Sequence, residues 1–248
     1  MAAIAFVGDS FCAAYGLDEW KLRGCTLQQW GTDKPTYINQ VVTTNSYTLY
    51  PYGFGGKSWW YSRQRFVEHL ARIPADIFEN QLETIVFCHT NSARINNAWN
   101  RELSNTDTAS SIASNYYRHI FDSDFNDWAQ QQWFKEINNR WAHLKTIHFH
   151  CFTDSVKHSH LLPGMVFTTP LIHISIGELS GTEKEIDKLI LEDQRYNHLS
   201  AANNQILADI IVRSIYKYRP GQYRLDLNEF QLVNPNSAKF PFKGYGTK

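Results

Sequence analysis

The sequence predicts an α/β protein, a three-layer α/β/α sandwich around a mostly parallel five-stranded sheet. Three observations carry that expectation. Short β-favouring runs alternate with longer segments of helical periodicity, the pattern of right-handed βαβ crossovers. One run, Thr84-Ile85-Val86-Phe87-Cys88, is nearly all apolar, as strands buried on both faces of a parallel sheet are. The 248 residues are enough for one large domain with a substantial core.

The elements follow in order. Residues 4–7 form the first strand, and the segment 36–42 after Pro35 is helical. Residues 46–50, Ser-Tyr-Thr-Leu-Tyr, are rich in strand formers and give the second strand. Helical patterns at 63–70 and 76–82 lead to the third strand at 84–88. One long helical stretch at 110–144 precedes the fourth strand at 146–152, and a shorter fifth strand lies around 167–176. The last helix spans 200–218, which sets the domain at 1–218. Three segments break the pattern: an Asn-rich polar insertion near 92–108, a loop at 154–164, and an extended C-terminal tail at 219–248.

Composition narrows the partners. Lys plus Arg number 24 and Asp plus Glu number 24, so no global field steers the chain toward nucleic acid or anionic lipid. No apolar run is long enough to span a membrane, and the N-terminus lacks the pattern of a secretory signal. Neither a nucleic acid nor a membrane is expected as partner. Localisation stays open between the cytoplasm and an assembled particle. Cys12, Cys25, Cys88 and Cys151 are widely scattered and read as reduced, mostly buried thiols.

Residues that can do chemistry gather at predicted strand ends. The run Ala3-Ile4-Ala5-Phe6-Val7 empties into Gly8-Asp9-Ser10, which places a hydroxyl where open parallel sheets bind ligands. Gly8 is expected to permit a sharp turn there. Taken alone, the tripeptide reads as a turn in which Asp9 or Ser10 caps a helix. After the second strand comes Tyr52-Gly53-Phe54-Gly55-Gly56-Lys57-Ser58, after the third His89-Thr90-Asn91-Ser92, and before the last helix Tyr196-Asn197-His198-Leu199-Ser200. Serine hydrolysis needs a nucleophile, oxyanion donors and a base. Ser10, the amides of Ser10 and Gly56, the Asn91 side chain and His198 supply them in chain order.

On these four blocks the chain resembles the SGNH, or GDSL-type, hydrolases over roughly residues 4–216. The resemblance implies a flavodoxin-like fold, Ser10 as nucleophile, Gly56 and Asn91 as oxyanion donors with the Ser10 amide, and His198 as base. It also implies a carboxylic ester substrate, a short acyl or O-acetyl group, for instance on carbohydrate, and no cofactor or metal. Two positions depart from the family pattern. Its third block reads Gly-x-Asn-Asp where this chain has His89-Thr90-Asn91-Ser92. The acid three residues before the histidine is replaced by Arg195, which cannot accept the imidazole N–H, so Asp193 is the nearest acidic substitute.

Neighbouring residues complete the expectation. Trp59, Lys57 and Arg94 are the substrate-binding candidates, Trp59 by stacking on a sugar and the two cations by contacting an acidic group; packing beneath the helix is the other reading of Trp59, and solvated surface charges that of Lys57 and Arg94. The Gly55-to-Ser58 loop invites a nucleotide-binding reading, but Pro51 stands where the phosphate loop needs its first glycine. His148 and His150 alternate on one strand face, with His158 and His160 in the next loop. No further ligand completes a metal set, so histidines packed under helices or exposed on a loop are expected. A third class stays open: a catalytically weak or inactive binding component on the same fold, joined to a larger assembly or a second copy through the tail.

Overall fold

The computed structural model describes residues 2–12, 37–53, 58–70, 81–96, 102–103, 111–175 and 199–231. Strand β1 (Ala3–Gly8) is followed by a 3-10 turn at Ser10–Cys12, then α1 (Tyr37–Asn45), β2 (Thr48–Gly53), α2 (Trp59–Leu70) and β3 (Leu82–His89). A small antiparallel ribbon, β4 (Ile95–Asn96) with β5 (Glu102–Leu103), lies within the predicted polar insertion. Then come α3 (Ser111–His119), α4 (Ser123–Trp141), β6 (Lys145–His150), β7 (Met165–Phe167), α5 (Ala201–Tyr216) and β8 (Gly221–Tyr223).

The sheet has six strands rather than five, in the order β2-β1-β3-β6-β7-β8, and every pairing in it is parallel. From β1 the chain moves outward to β2 and then returns across β1 to β3. The β1/β3 boundary is therefore the topological switch point, where open α/β sheets form their ligand crevice. Alternation along the strands supplies two buried faces. Ile4 and Phe6 face a cluster with Tyr37 and Val41 of α1 and Leu207 and Ile211 of α5. Ala3, Ala5 and Val7 face Phe66 of α2 and Trp133, Phe134 and Ile137 of α4. The small alanines leave room there for large rings.

Several predicted boundaries move for identifiable reasons. The second strand runs to Gly53 through Pro51, which the sheet tolerates because β2 is an edge strand. Ser46 stands outside it at φ 54°, in the turn after α1. The single helix expected at 110–144 is two, because the Asp122 carboxylate accepts from the amides of Asp124 and Phe125 and so caps a new helix. The fifth strand ends at Phe167, and Leu171–Ile174 is a 3-10 turn. Residues 76–80 of the expected helix lie outside the described residues, and Leu82 already belongs to β3.

The predicted tail is in part integral to the fold. Residues 221–223 add β8 beside β7, and Leu225 and Phe230 are buried in the core. The Asn203 side chain accepts from the Gln231 amide at 2.8 Å and donates to the Ile174 carbonyl at 3.1 Å, tying the end of this segment to α5. Domain and core thus extend past residue 218, and 232–248 lie outside the described residues.

Candidate functional site

The end of β1 is set by Gly8. A Cβ there would stand 2.5 Å from the Cys88 carbonyl oxygen, so glycine is required for close approach of β1 to β3. The chain bends at Asp9 directly after it, and since Gly8 is not among the glycines with positive φ, what the missing side chain spares is this clash. The Gly8 carbonyl accepts from the buried Ser62 hydroxyl, which fixes α2 against this strand end.

Asp9 follows, fully buried, and its carboxylate joins three segments. Oδ1 accepts from the Phe11 amide at 3.0 Å and from the Cys151 thiol at 3.3 Å, and Oδ2 meets Arg94 at 3.4 Å. The segments following β1, β3 and β6 are therefore held together at the carboxyl end of the sheet. The capping reading holds for Asp9, through the Phe11 amide. Ser10 opens the 3-10 turn, its backbone seated between Asp9 and the buried Phe11 and Cys12.

Three buried thiols, Cys12 of this turn with Cys88 and Cys151, form no disulfide. Burial, reinforced by the neighbouring Cys88, pushes the Cys12 thiol well above its ordinary value; burial and the nearby Asp9 do the same for Cys151. Protonated and enclosed, these two are not nucleophiles. Cys25 lies outside the described residues.

Asn91 stands two residues beyond β3, partly exposed, with its amide oriented at both ends. Its Oδ1 accepts from the Ala93 amide at 2.7 Å, and its Nδ2 donates to Asp154 Oδ2 at 3.1 Å. The turn is fastened further by Arg94 N–H donating to the Asn91 carbonyl and by Tyr117 donating to the Ala93 carbonyl. Gln130 of α4 donates to the Thr90 carbonyl at 2.8 Å.

The other predicted site residues divide. Asp193, Arg195 and His198 lie outside the described residues, as do Gly56 and Lys57. Leu199, which follows His198 in sequence, belongs to the buried cluster that contains Phe11, Cys12 and Phe152. Ser200 caps α5 by accepting from the Asn203 amide. Trp59 is 7% exposed and packs among Val7, Tyr52 and Phe66, which removes it as a stacking platform; the exposed ring is its neighbour Trp60, at 50%. Arg94 is not a solvated surface charge: it pairs with Asp9 and lies over the Phe152 ring at 5.0 Å. Ser58 is buried and caps α2, accepting from the Tyr61 amide at 3.2 Å, which leaves its hydroxyl ill placed for a nucleotide's metal.

Two further groups of polar residues stand nearby. His148 and His150 do share a face, and His89 joins them from β3, with its Nε2 3.0 Å from His148 Nδ1. All three are buried against Phe87 and Phe134. Burial first, and the neighbouring rings second, hold His89 and His148 well below the usual imidazole range, and burial lowers His150 to about 3. They are neutral core rings, and no set of three His, Cys, Asp or Glu among the described residues converges on a metal position. On the α4 surface Asp127 accepts from Lys157 at 2.8 Å and His158 at 2.9 Å. Burial pushes its carboxyl up, but these two donors outweigh burial and hold it below its ordinary value.

Sequence reasoning missed Asp9 as a knot between three segments and Asp154 as the partner of Asn91. Nothing in their local sequence marks them, because both contacts are made across the switch region between segments far apart in the chain. Compared with protein-family models, curated proteins and solved structures, the chain matches none. No helix among the described residues is long and apolar enough to cross a membrane.

Proposed function

We propose that this chain is a serine hydrolase of the SGNH type acting on carboxylic esters, with short acyl or O-acetyl groups, including those on carbohydrate, as its substrate class. The observation that carries the reading is the convergence at the sheet's switch point: the Ser10 turn leaves β1, the Asn91 turn leaves β3, and Asp9 with Arg94 ties the two together. The strand order around β1 and β3 is the doubly wound one that builds a crevice there.

In this reading Ser10 Oγ attacks the ester carbonyl carbon while His198 takes its proton. The amides of Ser10 and Gly56 and the Asn91 side chain hold the oxyanion. Collapse of the intermediate expels the alcohol, which receives the proton from His198, and leaves an acyl group on Ser10. Water, deprotonated by His198, then releases the acid and restores the serine. Asp193 or a backbone carbonyl orients the imidazole.

The test is turnover of a chromogenic short-acyl ester by purified protein. Ser10→Ala and His198→Ala are each expected to reduce kcat by at least about 10⁴-fold while the fold is retained. Undiminished turnover in Ser10→Ala would sink the assignment.

A further inference from the structure

We infer that Asp154 is the positioning residue for Asn91, setting the direction in which that side chain offers its free N–H. The inference rests on the hydrolase reading, in which Asn91 donates to the oxyanion. A primary amide has one acceptor oxygen and two N–H bonds. Here the oxygen accepts from the Ala93 amide at 2.7 Å, so the plane and the sense of the group are set. One Nδ2 hydrogen goes to Asp154 Oδ2 at 3.1 Å, which leaves the second to point away from both partners.

Without Asp154 the amide keeps a single tether, through Ala93, and its Nδ2 swings about that bond. An oxyanion donor acts by being aimed before charge develops, so a swinging donor gives up part of its effect. Asp154 is exposed, and it is the segment carrying it that is anchored. It stands in the 3-10 segment Thr153–Leu161 directly after β6, whose first residues are fastened by Ser155 donating to the Phe152 carbonyl at 2.7 Å and facing His150 Nδ1 at 3.1 Å. Cys151, three residues earlier, donates to Asp9. Asp154 thus ties the Asn91 turn to the segment after β6, as Asp9 ties the Ser10 turn to it. The position after Asn91, acidic in the family the chain resembles, is Ser92 here.

The experiment compares wild type, Asp154→Ala, Asp154→Asn, Asn91→Ala and the double variant Asn91→Ala/Asp154→Ala in steady-state ester hydrolysis, with urea midpoints to confirm folding. Asp154→Ala is expected to lower kcat about tenfold with KM within about twofold, since a mis-aimed donor loses less than a deleted one. Asp154→Asn keeps an acceptor oxygen and is expected to recover most of that loss. Once Asn91 is gone, adding Asp154→Ala is expected to cost nothing further. A full tenfold loss in the Asn91→Ala background, or a loss in Asp154→Asn equal to that in Asp154→Ala, overturns the positioning role. An active wild type indifferent to Asp154→Ala overturns this inference alone, whereas an inactive wild type overturns the hydrolase reading and this inference with it.

Discussion

Acidification from pH 7 to pH 5 is expected to remove up to about 6 kcal/mol of folding stability through three histidines alone. His89, His148 and His150 are buried together, and burial favours their neutral forms, reinforced at His89 and His148 by the neighbouring rings. In the unfolded chain each titrates near 6.5. Below that value the unfolded state binds protons that the folded state refuses, so stability falls as pH falls. At pH 5 the refused proton is worth about 2 kcal/mol per histidine, and nearly nothing at pH 7. A loss of about 6 kcal/mol is comparable with the whole stability of an ordinary domain. Asp127 does not confuse this window. Its lowered carboxyl adds stability that is present above the ordinary carboxylate value near 4 and is lost only below it.

Urea unfolding followed by tryptophan fluorescence at pH 7, 6 and 5 measures the effect as a falling midpoint at constant slope. His150→Leu isolates one contribution, because Ser155 keeps its bond to the Phe152 carbonyl when the imidazole is gone. The loss between pH 7 and pH 5 should then shrink to about 4 kcal/mol. A wild-type midpoint unchanged between those two pH values would refute the buried, neutral assignment.

Other expectations are separable. Gly164 has φ +72°, and a Cβ there would meet the Thr146 carbonyl oxygen at 2.2 Å, so Gly164→Ala should cost at least about 2 kcal/mol in urea unfolding. Trp59→Ala removes a core ring and should cost about 3–5 kcal/mol, whereas Trp60→Ala, at a half-exposed ring, should stay within about 1 kcal/mol of wild type. Asp9→Ala removes the buried carboxylate that holds the Phe11 amide, the Cys151 thiol and Arg94, and should cost about 3 kcal/mol, together with ester turnover.

How much was legible follows from where each signal resides. The strand Ala3–Gly8 announces itself by five apolar residues and a glycine, and β3 by an almost unbroken apolar run. The face shared by His148 and His150 is equally local, a matter of period two. His89 was not foreseen as their partner, because only the parallel register of β3 on β6 sets it opposite His150. β8 escaped because three residues give no periodicity; they become a strand through pairing with β7. Trp59 and Trp60 are adjacent and chemically identical, and only the direction of α2 decides which enters the core. For the site, the positions of Ser10 and Asn91 at strand ends were readable from sequence. The Asp9–Arg94 and Asn91–Asp154 contacts depend on the switch-point topology that brings the segments after β1, β3 and β6 side by side.

The most direct measurement of the central claim is covalent labelling with a fluorophosphonate, followed by mass spectrometry of the proteolysed protein. The account predicts one adduct, on the peptide carrying Ser10, lost in Ser10→Ala and slowed in Asn91→Ala. An adduct on a different serine, or none on folded protein, would contradict it.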